Sequence, residues 1–488
     1  MSTYCQDDIK FMTHQNTSDQ SALAAISTFE KHFSHHLEDL KTLSKIPSVS
    51  FDGFPPEEVR RSAEAVAALL KKTGLEKVEI LEVPGAHPYV YGEWMKAPGK
   101  PTVLLYAHHD VQPPGREELW NTPPFTPTEK EGPGGLRLFG RGTADDKAGV
   151  VVHTAAISSF LEAVGSLPLN VKVVIEGEEE VGSTHLEHFL ETYRSKLQAD
   201  VLILTDTANF DCGKPALTVA LRGLVGVEVE VRALSKAVHS GMWGGPVPDP
   251  VMALSKMLAS LVDAEGRIAI PGVREQVKPL TPEEEARFKK IPFEEAAFRE
   301  QSGMVPGSQL LREGPNPIAQ LWKFPSLVVT AIQASSRKQA GNIINDVAWA
   351  KVTIRLVPDM DPEKCAELLK AHLKKNCPWG LEVKFTNDGH GAPAWSIDPT
   401  GIAFDAATRA MKKGYGVEPL MMGSGGSIPF VGPFARALGG APALLVGVED
   451  PYTNAHGENE SLLISDFKKA CLSQIYLFAD LAENFKIK

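Results

Sequence analysis

The sequence predicts an α/β fold with a mostly parallel sheet, interrupted by an inserted α+β domain. Three observations predict it. Three apolar runs, "PTVLLYA", "VKVVI" and "DVLILT", read as buried strands, and the helix-like "AGVVVHTAAISSFLEAVG" lies between the first two. From about Ala216 the texture changes: Val225, Val227, Val229 and Val231 alternate with Gly226, Glu228 and Glu230, the pattern of a strand with one wet face. After "GHGAPAW" the first texture returns, with "GIAFDAATRAMKKG", "APALLVGV" and a closing helix from Ser461.

Taken in order, the elements divide the 488 residues into a catalytic domain split by an insertion. Residues 1–30 open with the polar "MSTYCQDDIKFMTHQNTSDQ", which lacks the apolar core of a secretory signal and is expected to form a loosely held arm. The first part of the catalytic domain is expected over 31–215. Its helix "PPEEVRRSAEAVAALLKKTG" has Pro at the start, acids in the first turn, lysines in the last and Gly after it. The insertion is expected over 216–388, with strands in "LTVALRGLVGVEVEVRAL" and "VAWAKVTIRLVP" and a helix in "DPEKCAELLKAHLKKN". It includes a polar, Pro-rich stretch, 271–317, that patterning does not place. The second part of the catalytic domain follows over 389–488.

Composition narrows the function. The formal charge of −11, from 50 Lys+Arg against 61 Asp+Glu, argues against a nucleic-acid partner. No uninterrupted apolar run reaches the roughly 18 residues of a membrane span, so no membrane partner is expected. Five scattered cysteines with no CxxC predict reduced thiols and a cytoplasmic location.

Acids and histidines gather after the predicted strands. "PTVLLYA" ends in His108, His109 and Asp110; "VKVVI" runs into Glu176, Glu178, Glu179 and Glu180; "DVLILT" ends in Asp206; "APALLVGV" is followed by His456. "FGRGTADDKAG" adds Asp145 and Asp146. In open α/β sheets, sites form beyond the carboxyl ends of the strands. Histidine with carboxylate suits zinc or a similar divalent ion, and two ions about 3.5–4 Å apart would need a bridging carboxylate. A charge run is usually solvated and an HxD is often a surface pair. The shared placement at strand ends is what favours a metal centre.

In these motifs the chain resembles the M20 metallopeptidase family, most closely its carnosinase-like dipeptidase branch. "YAHHDVQP", "GRGTADDKAG", "EGEEEVGS", "HSGMWGG", "RLVP", "GGSIP" and "AHGENE" occur in the family's order from about residue 40 to the C-terminus. The resemblance implies a zinc-peptidase catalytic domain with an inserted lid and dimerisation domain, hence a homodimer. It implies two divalent ions per subunit, zinc first, with manganese or cobalt as alternatives, acting on a small peptide substrate. His108, Asp145, Glu180, Asp206 and His456 would be the metal ligands, with Asp145 bridging and followed by a cis peptide. Asp110 would orient His108, and Glu179 would be the general base. His239 would reach the partner subunit's site and stabilise the oxyanion. Asn342, Arg355, Gly426 and Ser427 would contact substrate, Arg355 through its terminal carboxylate. Glu176 and Glu178 are left without a role, and a solvated or salt-bridged position is expected for both.

The implied reaction is hydrolysis of the amide bond of dipeptides or short peptides with a free C-terminal carboxylate. Two alternatives stand beside it: an N-acyl-amino-acid deacylase of the acetylornithine or succinyl-diaminopimelate type, and a non-catalytic relative. Two departures bear on substrate. Gly423-Ser424 stands where the branch often has Arg-Glu, and Asn345 where it often has Pro.

Overall fold

The computed structural model describes residues 5–289, 291–387, 391–425 and 431–487. The chain forms two compact units. The first comprises Met1–Val219, Asp398–Met422 and Phe430–Lys488, and the second Ala220–Ile397 and Gly423–Pro429.

The first unit begins with helix α1 (Cys5–Ser44). Its residues Ala22, Ala25 and Phe29 are buried, so the last third of the expected 1–30 arm packs against the unit. Helix α2 (Pro56–Thr73) carries its predicted signals: Glu57 and Glu58 in the first turn, Lys71 and Lys72 in the last, and Gly74 closing it at φ 100°, a conformation glycine adopts without strain. Strands β1 (Glu76–Leu81), β2 (Tyr89–Trp94) and β3 (Thr102–His108) follow, then the hairpin β4 (Thr128–Gly132) and β5 (Gly135–Phe139). Helix α3 (Lys147–Val164) connects to β6 (Asn170–Glu176), and β7 (Val201–Leu204) and β8 (Ala216–Leu221) complete this half.

The sheet order is β1, β2, β6, β3, β7, the strand Ala443–Leu445, and β8. The sheet is mixed. Its four central strands, β6, β3, β7 and Ala443–Leu445, are parallel, while β1, β2 and β8 pair antiparallel. Every residue of β6 and β7 is buried, which explains their unbroken apolar runs. Helices α1, α3 and Ile464–Asn484 pack on one another, and Ile402–Tyr415 packs on the last of these. By length and mean hydropathy α3 would pass for a membrane span, but 72% of it is buried inside this layer, as befits a core helix. The described cysteines, Cys212, Cys365, Cys377 and Cys471, are free thiols.

The second unit is built on an antiparallel sheet in the order Ser326–Gln333, Val347–Leu356, β9 (Gly223–Arg232), Glu382–Asn387. Val225, Val227, Val229 and Val231 are buried and Glu228 and Glu230 are half-buried, as the alternation requires. Helices Pro250–Ala259 and Pro362–Lys375 contribute Leu254, Met257, Leu369 and Leu373 to the same core. The Pro-rich stretch contains two short helices, Pro282–Lys289 and Glu295–Gln301.

Candidate metal centre

Three parallel strands deliver the site. β3 ends on His108, β6 ends on Glu176 and is followed by the single turn Glu179–Val181, and Asp206 lies two residues past β7. The register pairs His108 with Glu176 and Tyr106 with Leu204, so the three carboxyl ends meet at one edge. Asp145 arrives from the loop between β5 and α3, and His456 from the loop between the strands Ala443–Leu445 and Ser461–Leu463.

Asp145 stands between two histidines. Its Oδ1 is 3.1 Å from His108 Nε2, and its Oδ2 is 3.1 Å from His456 Nε2. Asp206 Oδ1 approaches His108 Nε2 at 3.7 Å, and Glu180 Oε2 approaches His456 Nε2 at 3.4 Å. The result is two ligand triads, His108–Asp145–Asp206 and Asp145–Glu180–His456, with ligand atoms inside each triad within 4.8 Å of one another. Each can hold one divalent ion through an imidazole and carboxylates, with Asp145 common to both. The Asp145–Asp146 peptide is cis.

Asp110 ties two ligand segments together. It accepts hydrogen bonds from Ser50 Oγ (2.7 Å), the Glu179 N–H (3.2 Å) and the Glu180 N–H (3.0 Å), and its Oδ1 lies 3.5 Å from His108 Nδ1. Glu180 is held in turn by Gln112, whose backbone N–H and side-chain amide donate at 3.0 and 2.7 Å. Glu179 differs: among the described residues no hydrogen-bond donor reaches its carboxylate.

Glu460, which was not singled out in the sequence, organises the Asp145 loop. Its carboxylate is fully buried and accepts from the N–H groups of Gly142 (3.0 Å), Ala144 (3.0 Å) and Asp145 (3.2 Å), and from Arg141 at 2.7 Å. Arg141 lies over the Trp120 ring, 5.6 Å from its centroid. No spacing rule marks Glu460, because its partners are backbone donors; its only signal was membership of "AHGENE".

Charge is concentrated here beyond what burial tolerates. Burial, followed by the charge of Asp206, pushes the Glu179 carboxyl well above the usual range, and burial with the charge of Asp145 does the same to Glu180. Burial also raises Asp206. Asp145 moves the other way: burial alone would raise it, but the contacts with His108 and His456 outweigh that and lower it. In His108, burial is outweighed by Asp110, Asp145 and Asp206, so its imidazole is held well above the ordinary value. Every one of these shifts reports negative charge in a poorly solvated place that calls for cations.

Glu176 is corrected by the structure, being neither solvated nor, among the described residues, salt-bridged, while Glu178 takes the salt-bridged alternative beside His185. Both are buried, and Tyr106 donates to Glu176 at 2.6 Å. Tyr89 donates to Glu178 at 3.0 Å, and His185 contacts it through its N–H at 2.9 Å and its ring at 3.0 Å. Burial pushes the Glu176 carboxyl up to about 8. His109 is also interior; its Nε2 meets Pro88 O at 3.0 Å and burial lowers it to about 4.

The remaining candidates belong to the second unit. His239 is exposed on the short strand Val238–His239, and its Nδ1 accepts the Gly241 N–H at 3.1 Å, which leaves the proton on Nε2. Asn342 lies alongside; its carbonyl accepts the Ser240 N–H at 2.9 Å. Arg355 is half-buried near Arg222, whose guanidinium is lowered to about 10 by burial and then by Arg355. Arg222 donates to Ser326 Oγ at 3.1 Å. A side chain on Gly423 would meet the Trp322 Cβ at 2.7 Å, so the indole occupies that space. Gly426 and Ser427 lie outside the described residues.

Comparison with known proteins places these residues in context. Residues 104–479 match the model of peptidase family M20/M25/M40. The Cys-Gly metallodipeptidase DUG1 of Candida albicans is 32% identical over 466 residues, covering 91% of this chain and 94% of that protein. The Beta-Ala-His dipeptidase of Rattus norvegicus is 31% identical over 428 residues, covering 82% and 85%. The solved structure of the di-peptidase Dug1p from Saccharomyces cerevisiae superposes with a TM-score of 0.82 at 29% identity, covering 95% of this chain and 99% of that one.

Proposed function

The chain belongs to peptidase family M20/M25/M40, and from that membership we propose that it is a dimetal dipeptidase cleaving the amide bond next to a free C-terminal carboxylate. The observation that carries this reading is Asp145, with one oxygen 3.1 Å from His108 and the other 3.1 Å from His456. Relatives named as Cys-Gly and Beta-Ala-His dipeptidases support the substrate class.

His108, Asp145 and Asp206 would hold one ion, and Asp145, Glu180 and His456 the other, with zinc preferred over manganese or cobalt. When bound, the ions supply the Lewis acidity that activates a water near neutral pH and polarises the scissile carbonyl. Glu179 takes the proton of the attacking water and passes it to the leaving amine. Its carboxylate meets no donor among the described residues, which leaves it open to a water. Asp110 keeps the His108 imidazole oriented while it pins the Glu179 and Glu180 backbone.

In the inserted domain, Arg355 would take the substrate's terminal carboxylate, with Asn342, Gly426 and Ser427 as further contacts. His239, with its proton on Nε2, is equipped to donate to an oxyanion in the partner subunit. The strand Ser326–Gln333 leaves Val328 (53% exposed) and Ile332 (57% exposed) uncovered within its own unit, which suits a homodimer through this domain. The free thiols suit a cytoplasmic enzyme.

The test is a panel of dipeptides, including Cys-Gly and β-Ala-His, run beside N-acyl amino acids after reconstitution with Zn²⁺, Mn²⁺ or Co²⁺. Dipeptide turnover is expected. Activity confined to the N-acyl compounds, or none at all, would overturn the substrate claim. Glu179→Gln should retain both ions and lose turnover, whereas Glu180→Gln should lose one ion. Equal metal loss in the two variants would contradict the division of roles.

A further inference from the structure

We propose a second kind of metal site on the helical layer of the first unit, where His32 and His35 bind one divalent transition-metal ion through their Nδ1 atoms. Both residues lie on α1, three positions apart and therefore on one face. Their Nδ1 atoms face each other at 3.3 Å. One ring donates to the other there, and a divalent ion would take the place of the shared proton. The separation also equals the spacing of two nitrogens that each sit about 2.05 Å from a shared tetrahedral ion, which comes to about 3.3 Å. The rings thus already stand at the bite of a chelate.

A carboxylate from another helix lies beside the pair. Glu162, on α3, brings Oε1 to 3.0 Å from His32 Nε2. The approach is off the N–H axis, so it acts through charge more than through a straight hydrogen bond. It favours the proton on Nε2, so that His32 Nδ1 accepts from His35 Nδ1 until a metal displaces that proton, and a carboxylate then stands behind the metal-binding imidazole.

The pair opens on a cavity of about 200 Å³ lined by His32, His35, His36, Asp39, Lys72 and Glu162. That volume accommodates an ion with several waters, each of which needs about 30 Å³. The nearby positive charge is already neutralised: Lys72 Nζ contacts both Asp39 oxygens, at 2.8 and 3.1 Å. Burial lowers His36 to about 4, so that ring adds no positive charge at the cavity wall. Imidazole donors select Zn²⁺, Cu²⁺ or Ni²⁺ over Mg²⁺ or Ca²⁺. Glu162 lies 15 residues beyond Lys147 on α3, roughly 22 Å along the helix at about 1.5 Å per residue, so the cavity is remote from the Asp145 centre. A bound ion would link α1 to α3 through Glu162.

Equilibrium dialysis of the holoprotein against micromolar free Zn²⁺ tests this. Wild type should bind one more Zn²⁺ per chain than the His32→Gln/His35→Gln double variant. The difference is one ion whatever number the Asp145 centre holds, so failure here leaves the dipeptidase reading untouched, and the reverse. Glu162→Gln should weaken the additional ion about tenfold. The single variant His35→Gln, at an exposed position, should melt as wild type without Zn²⁺ and lose the Zn²⁺-dependent rise in Tm that wild type gains. Equal zinc content in wild type and the double variant, or an identical Zn²⁺-dependent rise in Tm, would overturn the proposal.

Discussion

Glu460→Gln separates the charge of one buried carboxylate from its shape. One oxygen of Glu460 serves Arg141 (2.7 Å) and the Gly142 N–H (3.0 Å); the other serves the N–H groups of Ala144 (3.0 Å) and Asp145 (3.2 Å). An amide offers an oxygen to only one of these pairs and sets an NH₂ against the other. The guanidinium is the stronger donor and keeps the oxygen, so Ala144 and Asp145 lose their acceptor. Two bonds to a charged acceptor are worth about 1.5–3 kcal/mol each, and breaking a buried ion pair costs about 3–5 kcal/mol. A loss of about 3–5 kcal/mol is therefore expected. Urea unfolding of chelator-treated protein, followed by far-UV circular dichroism, measures it. Because the Asp145 N–H is one of the orphaned donors, the variant should also bind Zn²⁺ at least tenfold more weakly. Glu458→Gln is the control: the Glu458 carboxylate meets the exposed Arg116 at 2.8 Å, and the midpoint of the variant should not move. A Glu460→Gln protein with the wild-type midpoint and zinc affinity would refute the claim that this carboxylate holds the loop.

His153→Gln reports on pH. His153 is fully buried, its Nε2 meets Tyr106 O at 3.0 Å, and burial lowers it from 6.5 to about 4. Between those values the unfolded chain takes up a proton that the folded one refuses, so stability falls as pH drops through the window, by at most about 3 kcal/mol. The variant should show a shallower slope of unfolding free energy between pH 6.5 and 4; an unchanged slope contradicts this. Gly447→Ala would place a Cβ 1.4 Å from the Thr207 carbonyl oxygen, so a loss beyond about 3 kcal/mol, read as a large fall in Tm, is expected, and a wild-type melt would contradict it. Chelation should lower Tm, and Zn²⁺ at about 100 times its Kd should restore roughly 2.7 kcal/mol; a Tm indifferent to chelator would count against a bound ion in the folded protein.

The legible parts of the sequence were those with a period or a punctuation mark. β6 and β7 are buried on both faces, so they read as unbroken apolar runs, and α2 carries its caps in its own residues. The antiparallel edges of the main sheet were not legible, because pairing partners are set by tertiary placement. Strand ends marked a gathering of acids and histidines, and the choice of His108, Asp145, Glu180, Asp206 and His456 within it came from the resemblance to the M20 family. Gln112 and Glu460 could not be nominated, since the first is one amide among many and the second works on backbone donors that no sequence displays. Glu176 was misjudged for a related reason, and the burial of Glu178 was missed with it. Four glutamates within five residues look solvated until Tyr89, Tyr106 and His185 are brought to them from distant segments.

That misjudgement leads to a physical criterion for telling scaffold acids from ligand acids. Asp110, Glu176, Glu178 and Glu460 are buried, yet each is met by hydroxyl or backbone donors of the protein. Such acids keep their charge or proton without outside help, and they stiffen what they touch. Asp145 and Asp206 are approached by His108, and Asp145 by His456 as well, with further carboxylates as their neighbours. Among the described residues the imidazoles of His108 and His456 are the basic groups beside them, and His108 is drawn towards its charged form. Glu180 stands between the classes: Gln112 satisfies it from one side while His456 and Asp145 crowd it from the other. On the proposed reading, Gln112 aims Glu180 towards the ion that it would share with His456 and Asp145.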